Sequence, residues 1–308
     1  MTSTNSILKV TSSIVIFSMI FLGTHCERSG TEVTDRFPDG SIKKEIHYSG
    51  FGKNKKRTKV IEYWPNGGIR IETDYEGRKL HGQLVSWYEN GKLECERSYR
   101  FGKEHGQQEC RFADGQIHFT YAASNGDRDG LYEEYYANGQ LREKATYTLG
   151  VLEGIREKWY ENGQPMVLNA FVNGKEEGVQ QGWYETGNPE YEYTAEKGLK
   201  NGQFTLWYPN GVKQIQVSCV NDTVDGQLIA WYQTGQQRYE YNFLNYQFEG
   251  RQMSWDAEGR LLYHFENWIQ SKDPNKKSYQ FGDHQVWLLD FWDLVKTVFD
   301  PWGLITNL

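Results

Sequence analysis

The sequence is short of positive charge: 34 Lys and Arg stand against 41 Asp and Glu, a net charge of −7 with a pI near 5.6. That balance excludes a general nucleic-acid binder, which needs a basic surface to displace counterions from phosphates. Long apolar runs are also lacking. The compact run Ile14–Leu22 has nine residues, against about 20 for a bilayer span. Catalytic signatures are missing too: there is no Gly-x-Ser-x-Gly, His-Glu-x-x-His, phosphate-binding loop or Cys-x-x-Cys. No Asp or Glu stands apart from its neighbours as one of a glycosidase pair. The expectation is a chain without enzymatic activity or cofactor. Aromatics, by contrast, are plentiful, with 11 Trp, 21 Tyr and 15 Phe at a mean hydropathy of −0.76. This excludes ordinary disorder and suits a thin structure whose few core positions are filled by large rings.

The N-terminus carries its own pattern. Lys9 closes a polar stretch ahead of the apolar run, and Cys26 follows with Glu27-Arg28-Ser29-Gly30 behind it. This resembles a bacterial lipoprotein signal, in which the cysteine becomes the lipidated first residue. His25 stands where such signals carry a small residue, and Gly23-Thr24-His25 is a poor site for the ordinary signal peptidase as well. The expectation is export, with residues 1–25 as signal peptide and 26–35 as linker. Cys26 is then a lipid anchor in the cell envelope, or lies near the start of a secreted chain.

What the sequence has in abundance is period. Glycine falls at Gly40, Gly67, Gly91, Gly115, Gly139, Gly163, Gly187, Gly211, Gly235 and Gly259, and every interval after the first is 24 residues. A second column follows 15 residues behind, at Gly82, Gly106, Gly130, Gly154, Gly178, Gly202, Gly226 and Gly250. Two locked columns define about ten tandem repeats between residues 36 and 267.

The unit can be read physically. An aromatic pair and a turn precede the first glycine, as in Trp87-Tyr88-Glu89-Asn90-Gly91 and Trp159-Tyr160-Glu161-Asn162-Gly163. Asn-Gly between apolar runs predicts a type I′ hairpin turn, with positive φ at both central residues. Alternation resumes in Leu93, Cys95, Arg97 and Tyr99, and a looser turn over Gly102–Gly106 leads to the next aromatic pair. Each repeat is thus two antiparallel strands and two turns. Successive side chains take opposite faces. A Trp column (Trp87, Trp159, Trp183, Trp207, Trp231, Trp255) therefore opposes a Tyr column (Tyr136, Tyr160, Tyr184, Tyr208, Tyr232). Such columns stabilise a sheet by roughly 0.2–1 kcal/mol per cross-strand pair; alternatively, the Trp column is a ladder of rings for a ligand.

Trp-Tyr-x-Asn-Gly-x-Leu, an aromatic eight residues past the glycine, and a later Gly-Lys-x-x-Gly turn resemble the MORN repeat in its bacterial variant form. Gly150, Gly174 and Gly198 match the family's extra turn glycine, whereas Asp222 and Tyr246 replace it. The resemblance covers residues 36–265 and implies an all-β fold: an elongated, twisted, single-layer antiparallel meander of hairpins serving as a protein-binding scaffold. Some variant members are labelled antitoxins or immunity proteins, but an export signal separates this chain from a cytoplasmic toxin. At about 4.8 Å per strand, nine full repeats predict a rod or spiral on the order of 85 Å long.

The ends depart from the pattern. The first repeat carries an insertion and the basic run Lys53–Arg57, with Thr58 where the second glycine belongs; this reads as a solvated cap against edge pairing. Asp256 and Asn267 break the aromatic columns in the last repeat, as a second cap would. Residues 268–308 form a polar linker, Ser271–Lys277, and then Val286–Phe299, stopped by Pro301. Asp290, Asp293, Lys296 and Thr297 recur at three- and four-residue spacing, which predicts an amphipathic helix with Trp287, Phe291 and Trp292 on its apolar face. It serves either as a helical cap over the last hairpin or as a docking helix.

Two constellations invite chemistry. His81, His105, Asp129, Glu153, Glu177, Asn201, Asp225 and Glu249 form a polar column just before the second glycine. Equivalent members lie two strands apart, about 9–10 Å, too far to share a metal ion. Cys95 and Cys110 become direct neighbours if opposite residues sum to 205, and in an oxidising envelope they could form a disulfide. Cys219 replaces a ring and reads as a small buried hydrophobe. The reading is an exported scaffold that binds a protein partner along one face. Its rivals are a wall- or glycan-binding protein that uses exposed rings, and a spacer that only carries the terminal helix.

Overall fold

The computed structural model describes residues 29–268 apart from Phe51 and Tyr246. The signal peptide, Cys26 and the predicted helix with Trp287, Phe291 and Trp292 lie outside the described residues. Within them the chain forms one open antiparallel sheet, each strand pairing with those before and after it. Four of its 24 elements are two-residue stubs that resume one residue later: Val151–Leu152, Lys175–Glu176, Leu199–Lys200 and Gln247–Phe248. Twenty full strands remain, making ten hairpins.

The first hairpin starts earlier than the sequence pattern indicates. Ser29–Arg36, read above mostly as linker, is a strand paired with Ile42–Ser49. Every residue of it is exposed, so no apolar face marked it in the sequence; backbone pairing makes the edge, with Glu32–Lys55 and Asp35–Lys43 ion pairs at 2.8 and 3.0 Å. Gly52–Asn54 form a single 3-10 turn, where the first repeat carries its insertion.

The type I′ turn expected at Asn-Gly is found at the other turn of the repeat. At the Asn-Gly turn, the Gly91 N–H donates to the Tyr88 carbonyl and the Tyr88 N–H to the Lys92 carbonyl, both at 2.9 Å. Gly91 has φ +80 while Asn90 stays outside the positive-φ region, so a type I turn closes on a single left-handed glycine. Asn90 suits that place because its Oδ1 accepts from the Lys92 N–H at 3.0 Å. The extra residue bulges the hairpin, and Trp87 comes to face Leu93 while Ser86 faces Cys95. The type I′ geometry belongs instead to the second turn, where Phe101 and Gly102 have φ 52 and 88 and Arg100 pairs with Lys103. Gly106 is no turn residue. It sits at φ 93 inside Lys103–Arg111, where the register slips between Arg97 and Tyr99.

The sheet has one covered and one open face. On the covered face lie Ser86, Gln108, Ala145, Ala195, Leu228 and Ser254, all buried. Packing is densest around Ile215, Val217, Leu228, Ala230, Tyr239 and Tyr241, each at most 3% exposed. Upstream, Tyr121 faces Tyr132 across the ladder, and the Arg128 guanidinium lies 5.2, 4.2 and 5.4 Å from the rings of Tyr121, Tyr132 and Tyr147. Burial, followed by the carboxylate bonded to each hydroxyl or beside it, pushes the Tyr121 and Tyr132 phenols up to about 12.

Candidate binding surface

Most of the columns singled out in the sequence are absorbed by the architecture. Tyr160 Oη donates to the Trp183 carbonyl at 2.8 Å and Tyr184 Oη to that of Trp207 at 2.8 Å. Tyr88, Tyr136, Tyr208 and Tyr232 reach the backbone carbonyl 23 residues ahead in the same way. Asparagines run parallel to them: Asn66, Asn90, Asn138, Asn162 and Asn210 each donate from Nδ2 to a turn carbonyl of the next repeat. The bulge turns the Tyr side chains along the sheet, so they tie repeats together at the tight-turn edge.

Four members of the polar column are likewise structural. Carboxylates of Asp129, Glu153 and Glu177 accept the N–H of Leu149, Asn173 and Lys197, at 3.3, 2.8 and 2.7 Å. Asn201 Oδ1 accepts from the Asn221 N–H at 2.9 Å. Each acceptor serves the first residue of the type I′ turn 20 positions on, a backbone donor that would otherwise be left to water. No group of three or more His, Cys, Asp or Glu among the described residues is placed to hold a metal ion. Cys95 and Cys110 are Cα partners whose numbers sum to 205, and their sulfurs are bonded at 2.04 Å. Cys219 is free and buried, and that burial pushes its thiol up to about 12.

The Trp column behaves differently. Ser86, Gly182, Ala230 and Ser254, the residues just before Trp87, Trp183, Trp231 and Trp255, are buried on the covered face. The indoles therefore leave by the other face. All six are half-buried, and among the described residues no ring stacks on them. Trp159 and Trp183 stand opposite Pro165 and Pro189.

Two further rows on this open face escaped the sequence reading. Leu131, Ile155 and Val179 are spaced by 24 residues and 45–48% exposed, with Thr146, Ala170 and Thr194 in the neighbouring strands. Between them and the Trp row runs a row rich in acid: Glu96 faces Glu109, and Glu133, Glu157 and Glu192 follow, with Lys144 standing between Glu133 and Glu157. Directly opposed like charges weaken a sheet, and Glu96 and Glu157 bond to no described side chain. Both rows lie at fixed offsets from the first glycine column, so the signal was present once the open face was known.

Four segments of the chain, residues 80–100, 128–148, 152–173 and 176–196, match the MORN repeat variant. Each starts just past one turn, runs through the following strand and its tight turn, and ends on or one residue past the return strand. No curated protein matches the chain. Among solved structures it is similar to chains in the crystal structures of TcdB2-TccC3-Cdc42 and TcdB2-TccC3, at 10% identity and a TM-score of 0.15 in each. Those alignments cover 77% of this chain and 18% of the solved chains, so it spans less than a fifth of their length.

Proposed function

We propose that this chain of MORN-variant repeats is an exported scaffold, tethered by lipid on Cys26, that takes a protein partner on its Trp-bearing face and catalyses no reaction. Repeats of this type are in general motifs for protein or membrane interaction. The observation that carries the choice of face is how the polar groups are used. Tyr, Asn and the turn-capping carboxylates are committed to backbone donors and acceptors within the sheet. The open face instead keeps half-buried indoles, exposed aliphatic side chains and unbonded glutamates. Exposed apolar area beside polar groups is what a protein interface presents before it is covered. The Cys95–Cys110 bond supports an oxidising compartment, in keeping with the N-terminal apolar run.

The test is affinity capture from the native envelope with residues 27–308, beside a chain ending at Trp268 and a variant with Val179→Arg. A protein held by the first two and lost with the third supports the reading. One lost on truncation moves the function to the C-terminal segment. Retention of glycan alone overturns it, since half-exposed indoles also suit sugar rings.

A further inference from the structure

Resting on the reading of the open face as the protein-binding face, we propose that Trp159, Trp183 and Trp207 are a three-rung platform for a proline-rich, basic segment of the partner, bound as a polyproline II helix.

Spacing selects the conformation. The three indoles recur on every second full strand, so neighbouring rungs lie about 9.6 Å apart and the outer two about 19 Å. A polyproline II helix returns to one side every three residues, a rise of about 9.3 Å, or about 18.6 Å over two turns. An α-helix returns nearest at seven residues, about 10.5 Å, and drifts by about 2 Å over the same two steps. An extended strand presents its third residue to the wrong side. Seven residues with proline at the first, fourth and seventh positions therefore meet all three rings. Proline-rich segments favour such aromatic surfaces because they are ordered before they bind.

Charge selects the remaining positions. Glu157 precedes Trp159 by two residues on the same face, and Glu192 faces Gln181, two residues before Trp183. Glu157 faces Lys144 across the ladder but is bonded to no described side chain, and Glu192 accepts only from Gln181 Nε2 at 2.7 Å. Glu161 and Glu185 are exposed in the adjoining turns. Acid thus flanks the ring row on both sides, where arginine or lysine between the prolines would lie. Lys213 marks the end of the platform: it stands opposite Trp207, and its Nζ lies 5.9 Å from the Trp231 ring centroid. The next rung already holds a cation of the chain's own.

The test is calorimetric titration of residues 27–308 with three synthetic peptides. One carries proline at every third position with arginines between; one has the same composition with the prolines clustered; one is a basic amphipathic helix. The first should bind at least about tenfold more tightly than the other two. Trp183→Ala should weaken it about tenfold, the scale of one lost ring contact, and Trp87→Ala should leave it unchanged. Glu157→Gln with Glu192→Gln, which disturbs no core contact, should weaken it several-fold and flatten its salt dependence. Equal binding of the three peptides, preference for the helix, or indifference to both sets of substitutions would overturn the proposal. A benzoylphenylalanine photo-crosslinker at Val179 in the native envelope separates the two levels. A cross-linked partner whose contact segment lacks proline refutes the polyproline inference and leaves the scaffold reading standing. No cross-linked protein, together with failed peptides, refutes both.

Discussion

Tyr184→Phe removes one hydroxyl from the edge ladder and leaves the ring in place. The Trp207 carbonyl loses a donor at 2.8 Å, and Tyr184 is half-buried, so water replaces the bond only in part. A net value of about 1 kcal/mol follows, rising toward about 1.5 if the carbonyl stays dry. Each repeat touches only its neighbours, so the loss appears as local opening rather than as a shift of the whole transition. An opening constant larger by about fivefold corresponds to that free energy. Hydrogen exchange read by mass spectrometry should show it in peptides covering 184–188 and 207–213, and not in those covering 42–63. The chain also offers the reverse experiment. Phe112 occupies a Tyr slot without a hydroxyl, so Phe112→Tyr should reach the Tyr135 carbonyl and slow local exchange by a similar factor. Unchanged exchange in both variants, or equal change along the entire sheet, would refute the reasoning.

Three other outcomes are expected. Replacing Cys95 and Cys110 by serine opens a loop with a sequence separation of 15; in the chain-entropy view this costs about 3 kcal/mol in a urea titration, and a loss well under 1 would contradict it. Gly182→Ala places a Cβ in the Tyr191 ring at a buried site. It should cost about 1–3 kcal/mol, with much of that recovered on adding Tyr191→Leu; additive losses would argue against the clash. Burial, then the nearby carboxylates, holds the Tyr63, Tyr121 and Tyr132 phenols up at about 12. Unfolded phenols ionise near 10, so the unfolded chain releases these protons first. Their contribution to stability is complete below about pH 10 and is lost as pH rises toward 12. A spectrophotometric titration should show these three ionising together with loss of the sheet, and ionisation of all phenols near 10 in an intact sheet would be the contrary result.

The repeat, the meander and the 205 register of Cys95 with Cys110 were legible because glycine columns and two-residue alternation are direct products of backbone geometry. The turn types were not. Asn-Gly satisfies both a type I′ turn and a type I turn closed by a left-handed glycine, and the dipeptide carries no record of which residues pair across it. Phe101, Leu149 and Lys197, by contrast, adopt positive φ, a conformation that their side chains disfavour. No turn chemistry announced them; Asp129 and Glu177 hold that geometry at Leu149 and Lys197, and at Phe101 the ring packs against His81, centroids 4.8 Å apart. The Tyr column was assigned a face by alternation, which a bulge invalidates at the next residue. The open-face rows were missed for another reason: Leu131, Ile155 and Val179 resemble core residues such as Leu228 in type, and only their offset from the glycine column and their exposure set them apart.

The edge ladder has a direction. Its Tyr hydroxyls and Asn amide groups donate from one repeat to the following one, and each of these acceptors is a main-chain carbonyl. A main-chain acceptor is indifferent to the side chain that carries it. Inserting or deleting 24 residues in frame therefore rebuilds the same junction, whichever of the Tyr- and Asn-bearing repeats becomes the donor. Recombination between units can lengthen or shorten such a chain with no compensating substitution, so its reach can evolve separately from its fold.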